Sequence, residues 1–186
     1  MLNNEKNLLR IAVLDLYEGM ENEGIHCIRT IAQQFGESNN LEVVVDEFEV
    51  RIKKETPDLS YDIYISSGGP GSPLDSEGSE WEAVYFNWLK QIEDWNNSIF
   101  NHKKKYIFLI CHSFQLLCRH YNIGNVCKRK STSFGIYPVH LLDEGKKEPV
   151  FEILQDPFYA VDSRDYQVIE PNDAALKKNR SNNLGN

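Results

Sequence analysis

The sequence predicts an α/β domain in which helices form a layer on each face of a mostly parallel sheet. Three observations support this. Short apolar or β-branched runs alternate along the chain with segments of helical periodicity. One apolar run, at residues 106–111, passes into a helical pattern without a loop. The 186 residues are 41% hydrophobic and 26% charged, which is typical of a globular protein and excludes a disordered chain, a collagen-like repeat or a coiled-coil rod.

The first half of the chain contains three predicted strands and one predicted helix. Residues 10–16 form an apolar run, and apolar residues then recur at helical spacing over 25–35, where Gly36 is expected to end the helix. Residues 41–50 are rich in β-branched side chains, and residues 61–67 form a further apolar strand. Strands thus flank the first helix on both sides in sequence.

A long amphipathic helix is predicted next. Ser79 and Glu82 form a capping box, and an apolar stripe that includes all three tryptophans continues to residue 95. The run at 106–111 is apolar throughout, which favours a central parallel strand, and the helix that follows should end at Gly124. The remaining predicted elements are strands at 135–142 and 158–168 and a short helix opened by Pro171 and Asn172.

The charge balance and the N-terminus restrict the partners and the compartment. Twenty Lys and Arg against twenty-eight Asp and Glu give a net charge of −8, which repels nucleic-acid phosphates and anionic membranes, so neither is expected as a partner. The N-terminus has no signal-peptide pattern, which favours a cytoplasmic protein. We find no internal repeat or linker and expect one domain over 1–186, with 177–186 as a tail or truncation point.

The four cysteines are too few for a disulfide scaffold in a chain of this length. Cys118, His120 and Cys127 are conceivable zinc ligands, but the sequence has no CxxC pair or His/Cys quartet. Thiols that pack as small hydrophobic groups are the favoured interpretation. We therefore expect no metal and no cofactor.

Ligands of parallel α/β sheets bind beyond the carboxyl ends of the strands, which directs attention to the residues after Ser67 and after Ile110. The first position continues into a glycine-rich loop, residues 68–73 (GGPGSP), that can turn a backbone N–H towards a ligand. A phosphate site would need a helix that opens directly on the glycines, whereas the next helix starts near Ser79. A plain surface turn is the other alternative.

Cys111 follows the second of these strands, at a tight turn of the nucleophile-elbow type. Such a turn exposes the thiol at a helix N-terminus, where the partial positive charge favours the thiolate. The N–H of His112, together with a glycine N–H from residues 68–69, could then bind a developing oxyanion. A cysteine buried at the end of its strand is the alternative.

The combination of SGGPGSP (67–73) with ICHSFQLL (110–117) resembles the class I, or triad, glutamine amidotransferases. FGIYPV (134–139) and FYAVDSRDYQV (158–168) extend the likeness, which covers about residues 10–171. The resemblance implies the flavodoxin-like three-layer fold of that family and a glutaminase that uses a cysteine thioester and supplies ammonia to a synthetase partner or domain. The site residues it implies are Cys111 as nucleophile, Gly69 and His112 as oxyanion donors, and Gly68, Gln115, Ser163 and Arg164 as substrate contacts.

The sequence departs from the family pattern at several positions. Leu109 and Ser113 stand where the family has glycines that flank the cysteine, and the family's Ser-His-x-Asp-x-Val region is SRDYQV, at residues 163–168. No His-x-Glu pair supplies a general base, so we expect that pair in a C-terminal segment beyond residue 186; His140 is the less favoured alternative. Other open functions are a γ-glutamyl hydrolase, a homoserine acyltransferase, a peptidase-like enzyme, or a non-catalytic binding module of this fold.

Overall fold

The computed structural model describes residues 7–177 as two compact units. Unit 1 contains the described residues 7–126 and 168–177, and unit 2 contains residues 127–167. Of the predicted tail, residues 178–186 lie outside the described part of the chain.

Unit 1 is built on a four-stranded sheet. Its strands are β1 (Asn7–Asp15), β2 (Leu41–Glu49), β3 (Ile63–Ser66) and β4 (Tyr106–Leu109). They are arranged in the order β2-β1-β3-β4, and every neighbouring pair is parallel. The prediction of a mostly parallel sheet is confirmed. Because the strands are parallel, their carboxyl ends meet at one edge, where the loops after β3 and β4 both begin.

Helix α1 (Glu23–Ser38) covers one face of this sheet. The helix begins at Asn22, whose Oδ1 accepts a hydrogen bond from the N–H of Ile25 at 2.9 Å. The prediction that Gly36 ends the helix was wrong, because the helix continues through it. A Cβ at position 36 would lie only 2.4 Å from Val43 Cγ2, so the glycine allows α1 to approach β2 closely.

Helices α2 (Glu80–Asn97) and α3 (His112–His120) contribute to the core on the opposite face. The largest buried side chain there, Trp88, is 1% exposed. Ser79 caps α2 as predicted, but the carboxylate of Glu82 does not complete the box. It binds Arg119 and Ser76 instead. The two helical faces and the sheet between them give the predicted three layers.

The prediction that β4 is a central strand was wrong. Within residues 7–177 it pairs only with β3 and lies at the edge of the sheet. Tyr106 and Phe108 pair in register with Ile63 and Ile65, on the face that α1 covers over β1 to β3. Their side chains are 67% and 60% exposed. The apolar run therefore forms an edge strand with an uncovered aromatic pair on one face, and not a strand buried on both faces.

Unit 2 contains most of a two-stranded ribbon formed by β5 (Asn125–Val139) and β6 (Phe158–Ile169), of which residues 125–126 and 168–169 belong to unit 1. Two short 3-10 turns, at Gly145–Lys147 and Pro149–Phe151, lie between the two strands. Contacts of Cys127 with Gln167 and of Ser133 with Asp162 show that the strands are antiparallel. Both predicted late strands exist, although β5 starts earlier and ends earlier than expected, and both lie outside the parallel sheet.

After β6 the chain returns to unit 1 and forms a short helical segment at 173–177, as the sequence predicts. Asn172 Oδ1 accepts a hydrogen bond from Ala175 N at 3.2 Å, as expected of a residue that caps a helix. No helix in residues 7–177 combines the length and the apolar character that a membrane span requires.

Candidate active site

The loops that follow β3 and β4 meet at the carboxyl edge of the sheet. A Cβ placed on Gly68 would lie 3.6 Å from the Cβ of Cys111 and 3.9 Å from the carbonyl oxygen of Ile110. The structure therefore brings together the two segments that the sequence singles out. The absence of a side chain at position 68 leaves room beside the cysteine.

Cys111 occupies a backbone conformation that L-residues rarely adopt, with φ 50° and ψ −100°. It is the N-cap of α3, and its carbonyl oxygen accepts the first helical hydrogen bond from Gln115 N at 3.0 Å. The residue is exposed. A strained turn that presents an exposed thiol at a helix N-terminus has the geometry of a nucleophile elbow.

Ser113 fastens this turn to the neighbouring strand. Its buried Oγ lies 2.9 Å from Ile110 N, whose hydrogen it accepts, and 2.9 Å from the carbonyl oxygen of Ser66, to which it donates. The hydroxyl thus links the start of α3 to the end of β3. Ser113 therefore has a structural role of its own, since its side chain ties the turn to the neighbouring strand.

The glycine loop is fixed to the end of β1 in a similar way. Ser67 Oγ accepts a hydrogen bond from Leu16 N at 3.0 Å and donates one to the carbonyl oxygen of Gly68 at 2.7 Å. A Cβ on Gly69 would come within 2.5 Å of the Leu16 carbonyl oxygen, closer than any real contact of this kind. Position 69 therefore requires glycine for the loop to approach β1.

Tyr17 belongs to this site, although the sequence offered no signal for it. A Cβ placed on Gly68 would lie 3.3 Å from its hydroxyl oxygen. Burial, followed by the negative charges of Cys111 and Asp15, raises the pKa of Tyr17 above its usual value. The phenol therefore stays protonated beside the cysteine and can donate a hydrogen bond there.

Arg51, two residues past the end of β2, is the second residue that the sequence did not reveal. Its Nη2–H group donates to His112 Nε2 at 2.7 Å, and its Nη1–H group donates to the Pro70 carbonyl oxygen at 3.0 Å. Nη1 also lies 3.1 Å from the Glu18 carboxylate. The only available signal was an arginine at the carboxyl end of a strand, where ligands of such sheets bind.

The side chain of His112 is buried under the elbow, 1% exposed. Burial first, and then the charges of Arg51 and Arg119, lowers the pKa of His112 to about 4. The neutral ring accepts from Arg51 at Nε2, which leaves the proton on Nδ1. The sequence assigns this residue a main-chain role, and the structure adds that Nε2 of its ring is held by Arg51.

The other predicted substrate contacts lie in different surroundings. Gln115 is buried in the first turn of α3, 4% exposed. Ser163 and Arg164 lie on β6 in unit 2, where both are exposed and the Arg164 guanidinium pairs with Asp162.

The remaining cysteines differ in exposure. Cys118 is buried, which raises the pKa of its thiol to about 11 and agrees with the prediction of a packed cysteine. Cys27 on α1 is exposed, and Cys127 is half-buried. No cluster of metal-ligating side chains occurs within the described 171-residue stretch from position 7 to position 177.

His120 and His140, which the sequence offers as a conceivable zinc ligand and a less favoured general base, contact residues outside the Cys111 turn. His120, at the far end of α3, stacks on Phe86 with ring centroids 3.9 Å apart. In unit 2, His140 Nδ1 lies 3.7 Å from an Asp156 carboxylate oxygen.

Comparisons of sequence and of structure give different results. No protein-family model and no curated protein sequence matches the chain. Several solved structures do. A glutamine amidotransferase from Thermotoga maritima superposes with a TM-score of 0.63 at 14% identity, over 88% of this chain and 63% of its own. The glutaminase domain of Trypanosoma brucei CTPS, with bound acivicin, superposes with a TM-score of 0.57 at 15% identity, over 92% of this chain and 72% of its own.

A glutamine amidotransferase from Methylobacillus flagellatus gives a TM-score of 0.53 at 14% identity, over 90% of this chain and 59% of its own. The chain thus spans less than two thirds of the length of the two amidotransferases named as such. Identities this low establish the fold alone, and at that level they confirm the resemblance drawn from the sequence. The chain has the α/β fold of the glutamine amidotransferases.

Proposed function

We propose that this chain is a glutaminase of the glutamine amidotransferase type, with Cys111 as its nucleophile. The observation that supports this most directly is the Cys111 turn, in which an exposed thiol at φ 50° caps α3 beside Gly68. A structural cysteine would gain nothing from such a backbone, because strain of this kind costs of order 1–3 kcal/mol and persists where a function requires it.

The proposed reaction has two steps. The Cys111 thiol gives up its proton to a general base and the thiolate attacks the side-chain amide carbon of glutamine; the carbon–nitrogen bond then breaks, and the leaving nitrogen takes that proton and departs as ammonia. Water then attacks the γ-glutamyl thioester, which gives glutamate and restores the thiol. The sum is glutamine plus water to glutamate plus ammonia, with no change of oxidation state.

The oxyanion of each tetrahedral intermediate is assigned to the main-chain N–H groups of Gly69 and His112. Two preorganised donors of this kind would be worth several kcal/mol of transition-state stabilisation, since loss of one costs about 10²–10³ in rate. Gly68 leaves space for the substrate next to the sulfur, and Gln115 supports it from the first turn of α3. Tyr17 lies on the other side of this space.

Neither histidine of α3 is proposed as the general base. The His112 ring is buried and accepts from Arg51, and His120 stacks on Phe86 at the opposite end of a nine-residue helix. The general base for Cys111 is therefore assigned to an element other than α3. The acceptor of the ammonia is proposed to be a synthetase partner or domain, as the resemblance implies.

The test is selective labelling of Cys111 by a glutamine-mimicking electrophile such as acivicin, located by peptide mass spectrometry. Exposed Cys27 is the matched control, because both thiols are accessible but only Cys111 lies at an elbow. We expect acivicin to modify Cys111 and not Cys27, and glutamine to protect Cys111. Ammonia release from glutamine should disappear in Cys111→Ala and persist in Cys27→Ala.

Two outcomes would contradict the proposal. Equal labelling of Cys111 and Cys27, without protection by glutamine, would favour a binding module of this fold. Turnover of a γ-glutamyl peptide without turnover of glutamine would favour the hydrolase alternative, which uses the same cysteine elbow.

A further inference from the structure

Arg51 contacts both segments from which the candidate oxyanion donors come. One arm of its guanidinium donates to the Pro70 carbonyl oxygen, directly after Gly69, at 3.0 Å. The other arm donates to the ring of His112 at 2.7 Å. These segments are distant in sequence and follow different strands. A single planar side chain therefore spans the gap between them.

We propose that Arg51 is a positioning residue that fixes the amides of Gly69 and His112 relative to each other, and thereby shapes the oxyanion site beside Cys111. This inference rests on the proposed function. Arg51 itself is not assigned any contact with substrate, and it acts through the two main-chain segments that it holds.

The burial of this arginine is the first argument. Its side chain is 7% exposed, and its Nε has no hydrogen-bond partner among the described residues. A buried guanidinium with an unsatisfied donor costs free energy, which the Glu18 carboxylate at 3.1 Å and the Trp81 ring at 5.2 Å offset only in part. An apolar residue would fill the same space without that cost, so stability alone does not explain an arginine here.

The shape of the guanidinium is the second argument. Arginine presents its donors in a rigid fork, so the directions of its two hydrogen bonds are coupled. The hydrogen bond to the Pro70 carbonyl orients the Pro70–Gly71 peptide unit and so restrains the loop two peptide units beyond the one that carries the Gly69 N–H. The hydrogen bond to the His112 ring restrains the side-chain torsions of the residue that directly follows Cys111, whose N–H is the second proposed oxyanion donor. Oxyanion donors must be held to within about 0.5 Å to be effective, and such a fork supplies that precision.

The test compares three purified full-length variants with the wild type. Arg51→Met removes both hydrogen bonds, Arg51→Lys keeps the charge but loses the fork, and Arg29→Met is the matched control. Arg29 also pairs with a glutamate, Glu47, but it does so on the exposed side of α1 and β2. We expect glutaminase kcat to fall about 10- to 100-fold in Arg51→Met with KM changed less than about threefold, to recover partly in Arg51→Lys, and to stay unchanged in Arg29→Met.

A second readout does not need catalysis. In ¹⁵N NMR, the imidazole of His112 should remain neutral with its proton on Nδ1 down to about pH 5 in the wild type and in Arg29→Met. In Arg51→Met its titration should move to higher pH, because a neighbouring positive charge is lost, and the amide resonances of Gly69 and His112 should both shift.

The two readouts separate the inference from the proposed function. A wild type without glutaminase activity, but with the expected NMR changes in Arg51→Met, refutes the function and retains the positioning role. Unchanged Gly69 and His112 resonances in Arg51→Met, or a kcat equal to that of Arg29→Met in an active protein, overturn the positioning role. If Arg51→Met does not fold, Arg51→Lys decides: wild-type kcat and amide shifts in that variant overturn the inference.

Discussion

Replacing Cys111 by glycine should stabilise the protein relative to replacement by alanine. Alanine at position 111 would keep the Cβ that makes φ 50°, ψ −100° unfavourable, whereas glycine adopts this backbone without strain. The thiol is exposed, so both substitutions remove little buried surface. The comparison therefore isolates the strain in the elbow.

The magnitude follows from two opposing contributions. Relief of the strain is worth about 1–3 kcal/mol. Glycine also gives the unfolded chain more conformational freedom, which costs about 0.5–1 kcal/mol relative to alanine. The net expectation is that Cys111→Gly is more stable than Cys111→Ala by up to about 2.5 kcal/mol. In a chain of this length, each kcal/mol raises Tm by about 2–4 °C.

The assay is urea unfolding of both variants, followed by tryptophan fluorescence, with Tm from circular dichroism. Ala83→Gly, at an exposed position of α2, is the matched control and should be destabilised by about 1 kcal/mol, in the opposite direction. If Cys111→Gly is less stable than Cys111→Ala, the turn is not strained in solution, and the main support for an elbow nucleophile is lost.

Three further outcomes are expected. Gly36→Ala should lose about 1–3 kcal/mol of unfolding free energy in a urea titration because its Cβ meets Val43, and adding Val43→Ala should recover part of the loss; additive effects would contradict this contact. Arg119→Met should lower stability by about 3–5 kcal/mol, since it leaves the Glu82 carboxylate buried without its cation, and an unchanged Tm would argue against the pair. The pKa of His112 is about 4 in the folded chain and near its usual 6.5 when unfolded, so protons bind preferentially to the unfolded state as pH falls from 6.5 to 4. Stability should therefore decrease over that window by about 3 kcal/mol, and His112→Gln should flatten this part of a stability-against-pH profile.

The order of strands and helices could be predicted because each depends on a local pattern of apolar side chains. The structural roles of residues that depend on neighbours distant in sequence could not be predicted. The sequence pattern makes Gly36 look like a helix stop, because its tight contact with Val43 is a tertiary feature that no local pattern reveals. The run at 106–111 is apolar enough for a central strand, but only the topology shows that β4 lies at the edge of the described sheet.

The candidate site also contains one part that local sequence predicts and another part that it does not. The Cys111 turn could be predicted because a strand that passes directly into a helix leaves little choice of backbone. Arg51 and His112 are 61 positions apart, and no local pattern connects them. Tyr17 follows β1 in a segment with no distinctive motif, and its proximity to Gly68 depends on how the sheet aligns the strand ends.

The uncovered aromatic pair on β4 should influence self-association of this protein in solution. Beyond that strand, the described fold leaves a row of backbone donors and acceptors that water must satisfy. Such an edge strand can pair with another extended segment, and Tyr106 and Phe108 would add apolar contacts to it. Any chain that joins the sheet there would run alongside the strand that leads into Cys111, so self-association and access to the thiol should change together as concentration rises.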